Sequence, residues 1–214
     1  MDMKTLTSQA HTPEIPRMAI RYWLTRPRQA IARVRYWVWE KMNPDKPWLC
    51  PGTIAFCEKH LNKSMSALEF GSGRSTRWFA GLVGKLISVE HLADWHAIVT
   101  KQLADAGVTN VDYRLVQLDH PESEGERPSY SPTPVYVAVA DSLPERSLGF
   151  AIVDGHYRTT CVRHLVSRMA PGGYLLVDDI NMWPSQSALP VPADWKIVDD
   201  STNGVKRCII WQAA

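Results

Sequence analysis

Leu68-Glu69-Phe70-Gly71-Ser72-Gly73-Arg74-Ser75-Thr76 decides how this chain is read. The run from Met65 to Phe70 is short and mostly apolar, with polar residues on either side, which is the pattern of a buried strand. Beyond the glycines, Thr76, Trp78, Phe79, Leu82 and Val83 recur at helical spacing. Gly71 and Gly73 admit backbone angles closed to other residues and let a ligand come close to the main chain. The helix that follows offers unpaired N–H groups and a partial positive charge at its start. A strand, a glycine turn and a helix N-terminus together make a small-molecule cofactor site in an open α/β sheet.

The same alternation runs through the rest of the body. Lys85–Glu90, Val111–Leu118, Gly149–Asp154 and Tyr174–Val177 read as further strands. Helical spacing marks Pro51–Leu61, a segment capped by Asp94 and running to about Ala106, and Thr159–Met169. Tyr136–Ala140 reads as a short helix, and Pro171-Gly172-Gly173 as a helix stop and turn. Trp195–Val198 and Arg207–Trp211 close the chain as an antiparallel pair joined through Asn203-Gly204, a hairpin signal. Strands alternating with helices predict a mainly parallel sheet covered on both faces, a three-layer sandwich of seven strands. Its ligands belong beyond the carboxyl ends of the strands, where acids and glycines gather.

The bulk composition narrows the class. At 214 residues, 45% hydrophobic and 21% charged, the chain suits one α/β domain plus an appendage. The net charge of +2 makes no case for a nucleic-acid partner. Four cysteines without C-x-x-C spacing read as reduced thiols, Cys57, Cys161 and Cys208 in apolar surroundings. No run approaches the roughly 18–20 apolar residues that span a bilayer, and no signal-peptide core is present. These features predict a cytoplasmic protein.

The charge is unevenly spread. Arg17 to Lys41 holds seven basic residues and one acid, a net of +6, so the remainder is acidic by 4. We divide the chain into a basic, tryptophan-rich helical arm, 1–48, and a body, 49–214. Residues 1–16, with Pro13 and Pro16, read as a mobile polar tail. Thr25 is the expected cap of the arm helix, with Pro27 in its first turn. Ile31, Val34, Val38 and Met42 form an apolar stripe among arginines and tryptophans. Such a helix suits packing on its own domain, docking a second subunit to form an oligomer, or lying peripherally on an anionic membrane surface.

One acid gives the glycine turn company. Glu90 ends the second strand, where a carboxylate accepts the hydroxyls of a ribose. The third glycine of G-x-G-x-x-G is missing, Thr76 standing in its place, which argues against NAD or FAD.

Glu69-Phe70-Gly71-Ser72-Gly73-Arg74-Ser75-Thr76, Ser88-Val89-Glu90-His91, Val153-Asp154-Gly155-His156-x-Arg158 and Pro171-Gly172-Gly173-Tyr174-Leu175-Leu176-Val177-Asp178-Asp179 resemble, in order and spacing, a class I S-adenosylmethionine-dependent methyltransferase. The resemblance covers about residues 50–214. It implies a Rossmann-like sheet of seven strands with the last antiparallel, and S-adenosylmethionine as cofactor. By that resemblance Glu69, Gly71 and Gly73 line the amino-acid end of the cofactor, and Ser72, Ser75 and Thr76 are further cofactor-binding candidates. Glu90 takes its ribose, with His91 adjacent; Asp119 is the nearest candidate for the adenine, and Asp154 lies by the transferred methyl.

Asp154, Asp178 and Asp179 put three carboxylates at two neighbouring strand ends, a donor set favoured by hard divalent cations such as Mg²⁺. The arrangement is similar to metal-dependent catechol-type O-methyltransferases, although Asp179 stands where an asparagine is usual. His156 is the candidate general base, since an imidazole exchanges its proton near neutral pH. Arg158 is placed to hold an anionic substrate group or to pair with Asp178 or Asp179. The expected activity is methyl transfer, by O-methylation, to a small-molecule or glycan-type, sugar-like acceptor. The alternative is a non-catalytic membrane-surface binding protein with a Rossmann-like body.

Overall fold

The computed structural model describes residues 23–214, apart from 122, 123, 125 and 182–185. The expected N-terminal tail, together with Arg17 and Arg21, lies outside the described residues.

Seven strands form one sheet: β1 (Ser66–Phe70), β2 (Lys85–Glu90), β3 (Val111–Leu115), β4 (Leu148–Val153), β5 (Met169–Val177), β6 (Lys196–Thr202) and β7 (Arg207–Gln212). Their spatial order is β3-β2-β1-β4-β5-β7-β6. The first five pair in parallel, and β7 runs antiparallel to both its neighbours. The order reverses at β1, whose carboxyl end is the glycine turn, so the sequence puts its ligand signal at the topological switch point.

Alternate residues of each central strand supply two cores. Leu68, Phe70, Ala151, Val153, Leu175 and Val177 face one side. There they meet α5 (Val135–Ala138) and α6 (Arg158–Leu165) through Tyr136, Val137, Cys161, Val162 and Leu165. Ala67, Phe150, Ile152, Leu176 and Ile210 face the other side. They pack on α2 (Pro51–His60) and α3 (Arg74–Leu82) through Ile54, Cys57, Phe79 and Ala80. Three layers result, as the sequence predicts. All four cysteines are buried and free.

Several boundaries differ from expectation. Helix α6 ends at Leu165 and β5 begins at Met169, so Pro171-Gly172-Gly173 lies inside the strand, where the chain bulges out of the ladder with Gly172 at φ +75°. An irregularity between Leu148 and Phe150 in the β4 pairing absorbs the proline, which has no N–H to give a ladder. Gly173 has Leu148 O and Ala170 O within 3 Å of where a Cβ would lie, so the strands close up only around a glycine. Helix α4 (Ala93–Asp105) is capped by Leu92, with Asp94 inside its first turn, where its charge complements the helix dipole. The closing strands run longer than the apolar residues alone suggest, because charged Asp199, Asp200 and Arg207 also join the ladder.

Helix α1 (Pro27–Met42) starts from Arg26, so Thr25 is not its N-cap residue. The helix docks on the body, but not by its aliphatic stripe. Gln29 O and Arg33 N abut Gly204 in the β6–β7 turn. Tyr36 is buried, and Trp39 packs against the α2/α3 core. Ile31, Val34, Val38 and Met42 all face outward, together with Leu24 and Trp37. Two aromatic rings remove more area from water than the aliphatics would, and a glycine turn lets a helix backbone approach closely.

Candidate active site

The glycine turn is stitched to both neighbouring strands. Gly71 N donates to Val89 O at 3.0 Å, and Asp154 N donates to Phe70 O at 2.9 Å. Gly71 has φ +91°, and a Cβ there would lie 2.7 Å from Gly155 N and 2.8 Å from the Asp154 carbonyl carbon. Gly73 differs: a Cβ there would meet only Trp95, at 3.7 Å or more. The fold requires a glycine at Gly71, whereas at Gly73 a methyl would only make ordinary contact with Trp95.

Glu69 lies beneath the turn, fully buried. The hydroxyls of Ser75, Thr76 and Ser88 each donate to its carboxylate at 2.6 Å, and Thr76 Oγ1 also accepts from Gly73 N. Burial, with Glu90 adding to it, outweighs the three hydroxyls and leaves its pKa raised to about 7. Glu69, Ser75, Thr76 and Ser88 thus form one buried brace under the loop.

Glu90, at the end of β2, is buried as well. Its Oε2 accepts from Ser72 N and Ser72 Oγ, and its Oε1 from the backbone N–H groups of His91 and Leu92. Burial alone would raise its pKa, but hydrogen bonds from His91, Leu92 and Ser72 outweigh it and hold the carboxyl at about 2. The hydroxyls of Ser72 and Tyr113 are 2.6 Å apart, and Trp95 Nε1 donates to Ser72 O at 2.9 Å. The rings of His91 and His156 meet edge-on with centroids 4.6 Å apart, which brings the β2 and β4 ends together. Asp119 stands four residues beyond β3, exposed, its Oδ2 accepting from Val135 N at 2.6 Å. It ties the loop to the start of α5. Sequence reasoning missed Ser88, Trp95 and Tyr113. The signal available was a hydroxyl inside an apolar strand and two aromatics following the acid that ends β2.

Asp154, Asp178 and Asp179 do converge, with an oxygen of each within 4.8 Å of the others. A lysine that the sequence did not point to is already among them. Lys206 Nζ lies 2.9 Å from Asp179 Oδ2 and 3.3 Å from Asp178 Oδ2. Burial works against its charge, yet Asp178, Asp154 and Asp179 hold its pKa above the ordinary lysine value. The Cys208 thiol donates to the other oxygen of Asp178. Arg158 pairs with Asp154 Oδ1 at 3.4 Å and donates to the carbonyls of Asp154, Gly155 and Asp178. It reaches Asp178 through the main chain, not the carboxylate. Asp154 is pushed above the usual carboxylate range, first by burial and then by Asp178, with Lys206 and Arg158 opposing. Tyr157 and Asp179 hold left-handed backbone angles, φ 54° and 51°, an arrangement that costs about 1–3 kcal/mol each and gathers at functional sites. As folded, the three carboxylates do not fit a divalent ion, because an ammonium fills the space between two of them. An open cavity of roughly 770 Å³ is lined by none of Asp154, Asp178, Asp179 and Lys206. Ile180 and Arg207, the neighbours of Asp179 and Lys206, line it together with Leu189, Val191, Trp195 and Trp211.

No protein-family model matches the chain, and no curated protein is significantly similar in sequence. Solved structures do match. A candidate methyltransferase from Streptococcus mutans in complex with SAH aligns at TM-score 0.56 and 12% identity, over 76% of this chain and 96% of that one. A Streptococcus thermophilus rRNA methylase aligns at TM-score 0.52 and 15% identity, over 75% and 93%. A precorrin 8w decarboxylase from Methanobacterium thermoautotrophicum aligns at 0.52 and 17%, over 76% and 88%. At these identities the likeness shows the fold, and the fold does not separate nucleic-acid acceptors from small molecules. Among the described residues no helix is long and apolar enough to cross a membrane. The seven strands, their order and their one reversed member give the chain the Rossmann-like fold of class I S-adenosylmethionine-dependent methyltransferases.

Proposed function

We propose that this protein is an S-adenosylmethionine-dependent methyltransferase acting by O-methylation on a small-molecule or glycan-type acceptor. The observation that carries the reading is the glycine turn at the carboxyl end of β1, placed at the switch point of the sheet beside Glu90 and the facing rings of His91 and His156. These residues fit the donor. Glu90 is held ionised, the state that accepts ribose hydroxyls. Ser72 Oγ, 2.7 Å from Glu90 Oε2, stands where such a hydroxyl would donate. It has Tyr113 as an alternative partner when displaced. S-adenosylmethionine supplies an electrophilic methyl group on its sulfonium. The chain's part is to hold donor and acceptor in line. Asp154 and Arg158 fix the β4 end, and His156 takes the acceptor proton.

Calorimetry with S-adenosylhomocysteine tests this. Wild type binds it, and Gly73→Ala, which folds normally, binds at least about tenfold more weakly, a loss of about 1.4 kcal/mol. No binding by wild type at millimolar ligand sinks the proposal.

The outward face of α1 favours a second, compatible property. Ile31, Val34, Trp37, Val38 and Met42 are exposed beside exposed Arg28, Arg35 and Lys41, and no acid in α1 is fully exposed. We propose that this face lies on an anionic membrane surface, which would make the enzyme peripheral. Full-length protein then floats with vesicles rich in phosphatidylglycerol, and V34E/V38E stays at the bottom of the gradient. Equal flotation of the two proteins, or none by wild type, would refute it.

A further inference from the structure

Lys206 reaches the carboxylates from a braced position. Its hairpin turn is closed by Asn203, whose Oδ1 accepts from Val205 N and Lys206 N at 3.0 and 2.8 Å. Lys206 O accepts from Asn203 N, from Thr202 Oγ1 and from the Cys50 thiol. Helix α1 presses on Gly204 from outside. The ammonium is therefore delivered to a fixed place, between Asp178 Oδ2 and Asp179 Oδ2.

A calcium or magnesium ion bound by those oxygens would sit about 2.0–2.6 Å from each. The ammonium already stands 2.9 and 3.3 Å from the same atoms, so the two cannot share the space. Charge leads to the same conclusion. Lys206 and Arg158 offset two of the three carboxylates before any ion arrives. The side chain of Asp178 is fully buried, so it needs a cation that stays.

We propose that Lys206 is the resident cation of the Asp154–Asp178–Asp179 cluster and that its ammonium holds the place of a divalent ion. The cluster works without metal, and its specificity for an internal cation is set by one side chain of the β6–β7 turn. Two of the three ammonium donors are taken by Asp178 and Asp179, which leaves the third for an acceptor oxygen. That last role rests on the methyltransferase reading; the exclusion of metal does not.

Manganese uptake by the full-length protein, followed by electron paramagnetic resonance, tests the exclusion. Wild type and K206R leave the free Mn²⁺ signal unchanged. K206M, and K206Q as a second variant, bind Mn²⁺ at least about tenfold more tightly than wild type. Adding D179N to either variant returns binding to the wild-type level. If a variant unfolds alone, a rise in its melting temperature with Mn²⁺ counts as uptake. The proposal is overturned if wild type binds Mn²⁺ as tightly as K206M, or if neither variant takes it up. S-adenosylhomocysteine binding, measured on the same samples, reports separately on the methyltransferase reading. Its absence throughout would remove the acceptor role and leave the manganese result standing.

Discussion

Gly71→Ala lowers the melting temperature by roughly 6–12 °C, and the turn it leaves no longer matches the wild-type crevice. Two costs add. A left-handed backbone at φ +91° costs an alanine about 1–2 kcal/mol. The new methyl also enters a space with Gly155 N at 2.7 Å and the Asp154 carbonyl at 2.8–2.9 Å. Overpacking of that kind costs about 1–3 kcal/mol, and backbone has no rotamer by which to yield. The sum is on the order of 3 kcal/mol, and a domain of this size loses about 2–4 °C for each. Gly73→Ala has neither cost and serves as the control: its melting temperature stays within about 1–2 °C of wild type. Thermal unfolding followed by circular dichroism measures both, and equal melting temperatures for the two variants would contradict this account of the turn.

The second large effect is a pH dependence, read as a difference between wild type and Glu69→Gln. In the folded protein Glu69 titrates at about 7, whereas an unfolded glutamate titrates near 4.5. Between those values the folded state keeps a proton that the unfolded chain has released. Raising the pH through that window therefore favours unfolding. Above it the carboxylate is ionised in both states and the full cost has been met. Glutamine does not titrate, and contributions of the other groups cancel in the difference. From pH 4.5 to 7.5, wild type should lose about 3 kcal/mol relative to E69Q. Urea unfolding of both proteins at the two pH values checks this. A difference that stays constant, or moves toward wild type, is the contrary outcome.

The same residue shows why part of the site was legible in the sequence and part was not. The glycine turn, the acid ending β2 and the acids ending β4 and β5 are local signals, each a few residues long, and β-strand period places them at one edge. Glu69 belongs to such a motif, yet its partners Ser75, Thr76 and Ser88 come from α3 and β2. Its commitment to a buried brace is a tertiary fact. Lys206 lies further out of reach. Nothing near it in sequence marks it; β7 has to turn back beside β5 before its turn meets Asp178 and Asp179. The carboxylate cluster was therefore visible, and the cation that answers it was not. Helix α1 failed differently. Its period was right, but hydrophobic spacing does not say which of two apolar faces docks, and Tyr36 with Trp39 outcompeted the aliphatic stripe. The short hairpin signal at Asn203-Gly204 held, because an Asn side chain and a glycine at φ +89° meet the turn's needs locally.

That turn has two neighbours of different kinds. Gly204 touches the backbone of α1, and two residues later Lys206 enters the carboxylates. The arm and the carboxylate cluster therefore share one four-residue turn. Were a partner to shift that turn through α1 and so alter binding at the cluster, a ligand there would alter the affinity of the arm by the same factor.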